Sequence, residues 1–184
     1  MERAVFTADE IDKVLDFVET NARHPALVPM FVLAAHTGAR RSEILRSEAS
    51  DFDMTANTVR LRELKRSHGK RTTRTVPLSG RLQRVMRSWL DVVQSRETFS
   101  LNGHPLTVDE TSHHFKQTLA GSRQEKIRGW HVFRPSFISN CTSQAIDQRM
   151  IDAWTGRQTE EMRKRYRHLF PTAQRAALDT VFGS

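Results

Sequence analysis

The chain has 184 residues, 38% of them hydrophobic, which is enough for one domain with a real core. Its 29 Lys and Arg against 21 Asp and Glu leave a net charge of +8, and arginine-rich excess of this kind points to a polyanionic partner, most commonly nucleic acid. No apolar run approaches the roughly 20 residues that span a bilayer, the N-terminal "MERAVFTADE" lacks the apolar stretch of a signal peptide, and the single Cys141 excludes an intrachain disulfide or a cysteine metal cluster, so a cytoplasmic setting is expected.

"TADEIDKVLDFVE" opens with a capping box, Thr7 to Glu10, and Ile11, Val14, Leu15 and Val18 follow at helical spacing. "PALVPMFVLAAHTG" is almost wholly apolar and predicts a buried helix stopped at Gly38. "ARRSEILRSEAS" predicts a shorter amphipathic helix. The period then changes. In "DFDMTANTVRLRELKRSHGKRTTRTVPL", Val59 and Leu61 alternate with arginines, a Ser-His-Gly turn follows, and a Thr/Val-rich return ends at Pro77. This predicts a small antiparallel sheet with a basic hairpin.

Ser79 is placed to cap the next helix, whose stripe is Leu82, Val85, Met86, Trp89, Leu90 and Val93. "TVDETSHHFKQTLA" carries a second capping box, Thr107 to Glu110. After "GSRQEKIRG" helices are expected around 133–146, 147–155, 159–168 and 172–182, with Asp147, Thr159 and Thr172 as caps. The predicted fold class is mainly α with a small antiparallel β-sheet inserted early.

Four places hold polar residues that a plain core does not require. In "HTGARRSEIL", Arg40 follows the end of a buried helix, and Glu43 lies three residues on, within reach on the same helical face. In the hairpin, Lys65 ends a strand just before the turn. In "GWHVFRPSF", His131 and Arg134 stand three apart at the start of an apolar helix, where free N–H groups attract phosphate. In "RKRYRHLF", the only tyrosine, Tyr166, sits among Arg163, Lys164, Arg165 and Arg167. A phenol is a poor nucleophile near neutral pH, and neighbouring cations favour its phenolate and hold an anion. Each has an ordinary reading: a surface arginine pair, an edge strand guarded by charge, a capping histidine, a packed tyrosine.

Together, in this order and spacing, they resemble the catalytic domain of the tyrosine recombinase (phage integrase) family. That family carries Arg in "TG-x-R-x-x-E", Lys on a β-hairpin, a His-x-x-Arg pair, a further His or Trp, and a nucleophilic Tyr near the C-terminus. Here "TGARRSE" supplies Arg40 and Glu43, "ELKRSHGKRTTRTVPL" supplies Lys65, "HVFR" supplies His131 and Arg134, and "YRH" supplies Tyr166 with His168 beside it. The resemblance runs over about residues 5 to 182.

It implies a type IB topoisomerase-like catalytic fold and a site-specific DNA strand-transferase that needs neither metal nor ATP. Tyr166 attacks a scissile phosphodiester and leaves a 3′-phosphotyrosyl link; Arg40 and Arg134 clamp the non-bridging oxygens; Lys65 protonates the leaving 5′-oxygen; His131 assists proton transfer; Glu43 steers Arg40. Arg66, Lys70, Arg71 and Arg74 of the hairpin, and Arg163, are expected to contact double-stranded DNA. No cofactor is expected. A homo-oligomer on DNA is implied, with the helix 172–182 either docking onto a neighbouring protomer or packing on its own.

Three departures qualify the match. In "WTGRQTEEM", Arg157 stands where the family usually has a histidine or tryptophan; guanidinium only donates, whereas imidazole also accepts. Pro135 directly follows Arg134 and is tolerated only in a helix's first turn, so that helix must start late or Arg134 must be displaced. The family's usual N-terminal DNA-binding domain is expected to be absent from residues 1–184, which are expected to form a single catalytic domain, either a fragment or a minimal member of the family. Arg157 and Pro135 support an alternative: a duplex DNA-binding protein that keeps the fold with impaired or lost catalysis.

Overall fold

The structure, a computed structural model, describes residues 5–67 and 70–156, with side chains outside 64–71. It comprises α1 (Ala8–Asn21), α2 (Leu27–Thr37), α3 (Arg41–Leu45), β1 (Phe52–Asp53), β2 (Thr58–Ser67), β3 (Lys70–Pro77), α4 (Gly80–Leu90), β4 (Ser100–Leu101), β5 (His104–Pro105), α5 (Val108–Leu119), α6 (Phe133–Ser143) and α7 (Gln148–Thr155). Short 3-10 turns cover Ala49–Asp51 and Trp130–Val132. Among the described residues this is mainly helix with one early antiparallel sheet, as predicted. The expected helices over 159–168 and 172–182, with their caps, lie outside the described residues.

Both capping boxes form. Thr7 Oγ1 accepts from Glu10 N at 3.3 Å while the Glu10 carboxylate accepts from Thr7 N at 2.9 Å. Thr107 and Glu110 repeat the arrangement at 3.2 and 2.8 Å. Each box satisfies donors that a helix start leaves orphaned. α2 is apolar on nearly every face because α1, α3, α4 and α6 surround it. Gly38 closes α2 in the left-handed region at φ 63°, where a side chain would be strained. Phe31 of α2 is fully buried and lies 4.9 Å from the Phe115 ring, 4.6 Å from Trp130 and 5.7 Å from Phe133. This aromatic cluster locks α2, α5 and the start of α6 together.

The sheet has the order β1-β2-β3, all antiparallel, with a register irregularity between Arg62 and Arg66. Val59, Leu61 and Val76 point into the core. On the other face Arg60 and Arg62 converge on buried Asp51, and Arg62 also reaches Glu48 at 2.6 Å.

Two elements differ from expectation. The helix predicted over 39–50 is confined to Arg41–Leu45, and a 3-10 turn then feeds β1. The β4–β5 ribbon was not foreseen, although "SLNGHP" carries its signal. Asn102 and Gly103 both have positive φ, 50° and 81°, the requirement of a two-residue type I′ turn.

Candidate functional site

Arg40 caps α3, and Glu43 in its first turn bonds back to it. The Glu43 carboxylate accepts from Arg40 N at 2.7 Å and from the Arg40 guanidinium at 2.9 Å. This meets the expectation that Glu43 lies within reach of Arg40. The same carboxylate holds a second arginine: Arg74 donates to both its oxygens, at 2.9 and 2.7 Å. Burial pushes the Glu43 pKa up, but the hydrogen bonds and charges of Arg74 and Arg40 outweigh it and leave the carboxyl below its ordinary range.

Arg74 was expected among the DNA contacts. Its side chain is only 6% exposed, which corrects that expectation. It also donates to Glu63 at 3.2 Å and through Nε to the Trp154 carbonyl at 2.6 Å. The reason is strand parity. Arg74 is in phase with Val76 and pairs across the ladder with Leu61, so it points inward, where Glu43 and Glu63 neutralise it. Arg74 therefore ties α3, the hairpin and α7 into one frame.

Arg134 lies in the first turn of α6. The helix begins at Phe133, so Pro135 occupies its third position and costs no intrahelical bond. Of the two outcomes expected from Pro135, the structure adopts the late start. Arg134 donates to the Gly38 carbonyl at 2.9 Å and to the Thr155 carbonyl. Burial, with the nearby charges of Arg40 and Arg74, brings its pKa down to about 10, so it stays cationic at neutral pH.

Arg40, His131 and Arg134 border one cleft of about 470 Å³, with Phe115 and Trp130 among its walls. Arg40 is half exposed at its mouth. Arg41, Lys116 and Arg128 line the same cleft and were not singled out from the sequence. None of the described lining residues is acidic. Such a cleft attracts and orients an anion, because low-dielectric walls concentrate the field of convergent cations.

Lys65 lies within β2, two residues before its end, and the backbones of Arg66, Lys70 and Arg71 lie in β2 and β3; their side chains lie outside the described set. Arg157, Arg163 and Tyr166 lie outside the described residues altogether. No helix among the described residues is long and apolar enough to cross a membrane.

The sequence matches the profile described as "Phage integrase family" over residues 4–172. No curated protein matches. Solved structures share the fold. The Tn1549 transposon integrase in complex with transposon right end DNA superposes at TM-score 0.80 with 15% identity, over 98% of this chain and 66% of that one. XerA recombinase gives 0.75 and 17%, over 99% and 66%. XerH site-specific recombinase, bound to palindromic difH substrate in a post-cleavage complex, gives 0.71 and 17%, over 96% and 53%. The chain spans two-thirds or less of the length of each.

Proposed function

The chain belongs to the phage integrase family, and on that premise we propose that it cleaves and rejoins DNA through a covalent tyrosine link. The observation that carries the reading is the convergence of Arg40, His131 and Arg134, from two separated stretches of sequence, on one basic cleft with no acidic residue among its described lining. A phosphodiester seated there meets two guanidiniums whose positions are fixed before it arrives. Arg40 is held by Glu43, and Arg134 by the Gly38 and Thr155 carbonyls. Preorganised cations of this kind stabilise charge that develops on phosphoryl oxygens.

In the proposed reaction the Tyr166 oxygen bonds to phosphorus as the P–O5′ bond breaks. Lys65 gives its proton to the departing O5′, and His131, as the proton-transfer group, accepts the proton that the Tyr166 hydroxyl loses as it attacks. Arg157 donates a hydrogen bond to a phosphate oxygen. Attack by a 5′-hydroxyl reverses the steps, so the bond energy is retained and site-specific recombination follows from exchange of strands. The fold shared with DNA-bound recombinases supports DNA as the substrate, and the proposal includes a homo-oligomer on duplex DNA as the working form.

The test is formation of an SDS-resistant adduct on nicked duplex fragments. An adduct from the native chain that Tyr166→Phe abolishes is the expected result. Arg157 favours the second reading, a DNA-binding protein with a disabled site. That reading predicts DNA binding without adduct from the native chain, and an adduct from Arg157→His.

A further inference from the structure

We infer that Arg41, Lys116 and Arg128 form a second phosphate subsite, which takes a backbone phosphate flanking the one held by Arg40, His131 and Arg134. The inference rests on the proposed DNA strand transfer and extends it to three side chains that the reaction itself does not use.

The three come from different elements, α3, α5 and the loop before α6, and meet along one cleft. Arg41 is aimed. It donates to Ser112 Oγ at 2.6 Å, and Ser112 gives its own proton to the Val108 carbonyl at 2.9 Å, so its oxygen faces the guanidinium. Ser112 and Lys116 lie one turn apart on α5 and share a face. Arg41 is thereby tied to the α5 face that carries Lys116, and Arg128 lines the same cleft.

The charge pattern separates this group from the arginines that serve the fold. Arg60 and Arg62 are answered by Asp51 and Glu48, Arg74 by Glu43 and Glu63, and Arg81 by Asp12, Asp16 and Glu19. No described carboxylate forms an ion pair with Arg41, Lys116 or Arg128, and none of the described cleft-lining residues supplies one. Gathering cations without a counter-charge is unfavourable unless an anion completes the set. The cleft, at about 470 Å³, lies within the roughly 300–1,000 Å³ of pockets that hold whole small ligands, so more of the backbone than one phosphate fits beside these cations. A second phosphate of the same backbone supplies the missing charge and fills the remaining length.

The test is duplex binding by fluorescence anisotropy across a salt series. The proteins are the native chain, each of Arg41→Gln, Lys116→Ala and Arg128→Ala, and the triple variant. Lys116 and Arg128 are exposed, so their removal leaves packing intact. Arg87→Ala, an exposed arginine of α4 outside the cleft, is the charge-matched control. Three residues on one shared phosphate predict that the triple variant loses about 0.9 from the slope of log K against log salt, and that single losses do not add. A change no larger than that of Arg87→Ala overturns the subsite. So does a triple-variant loss near 2.7, which means three separate phosphates. Covalent adduct formation is read independently: adduct with unaltered slopes rejects the subsite alone, and binding with the predicted slopes but no adduct rejects strand transfer alone. Absence of binding by the native chain rejects both.

Discussion

Glu43 is one carboxylate that holds two guanidiniums, one facing the cleft and one buried behind it. Glu43→Gln leaves buried Arg74 with Glu63, at 3.2 Å, as its remaining charge partner among the described residues, and a loss of up to about 3–5 kcal/mol is expected in urea denaturation. The pH dependence has a definite sign. The folded carboxyl sits below its ordinary value of 4.5, so its stabilisation is complete above that value and is lost as pH falls through the lower folded one. The gap between native and Glu43→Gln midpoints should therefore be constant near neutrality and close under acid. At this scale Arg40, Glu43, His131 and Arg134 were legible because each sits in a short pattern tied to a helix end. Arg74 was misread because its charge outweighed its position. Its phase with Val76 marked it as inward, and Glu63 shares the phase of Leu61 on the facing strand. Arg41, Lys116 and Arg128 were missed because only folding brings them together.

The end of α7 is where the elements meet. Arg74 bonds the Trp154 carbonyl and Arg134 the Thr155 carbonyl, and Gly156 then leaves the helix at φ 74° and ψ 164°. That conformation is nearly exclusive to glycine, and a Cβ there would collide with Glu63 Oε1. Gly156→Ala is expected to cost about 1–3 kcal/mol of stability by thermal or urea unfolding. It should also reduce adduct yield, because it disturbs Glu63 and with it Arg74. The sequence announced helix starts better than extents. Thr7, Ser79, Thr107 and Asp147 all cap as expected, since a cap is a local bond. The length of α3 is set instead by where the chain must turn into the sheet, which no local pattern records.

Across the whole molecule, core and cleft share material. Phe115 and Trp130 line the cleft, and both lie against Phe31 at the centre of the packing. Phe115→Ala should cost about 3–5 kcal/mol by urea unfolding and weaken duplex binding at temperatures where the variant stays folded. Arg134 carries a further consequence. Of its five N–H groups, two are committed to the C-terminal ends of α2 and α7. An anion on the remaining donors and the seating of α7 thus draw on a single group, and coupling between two such events is reciprocal. Whatever factor a seated α7 lends to phosphate affinity, bound phosphate returns to α7. If the cleft takes DNA as proposed, its loading and the anchoring of the end of α7 are linked equilibria.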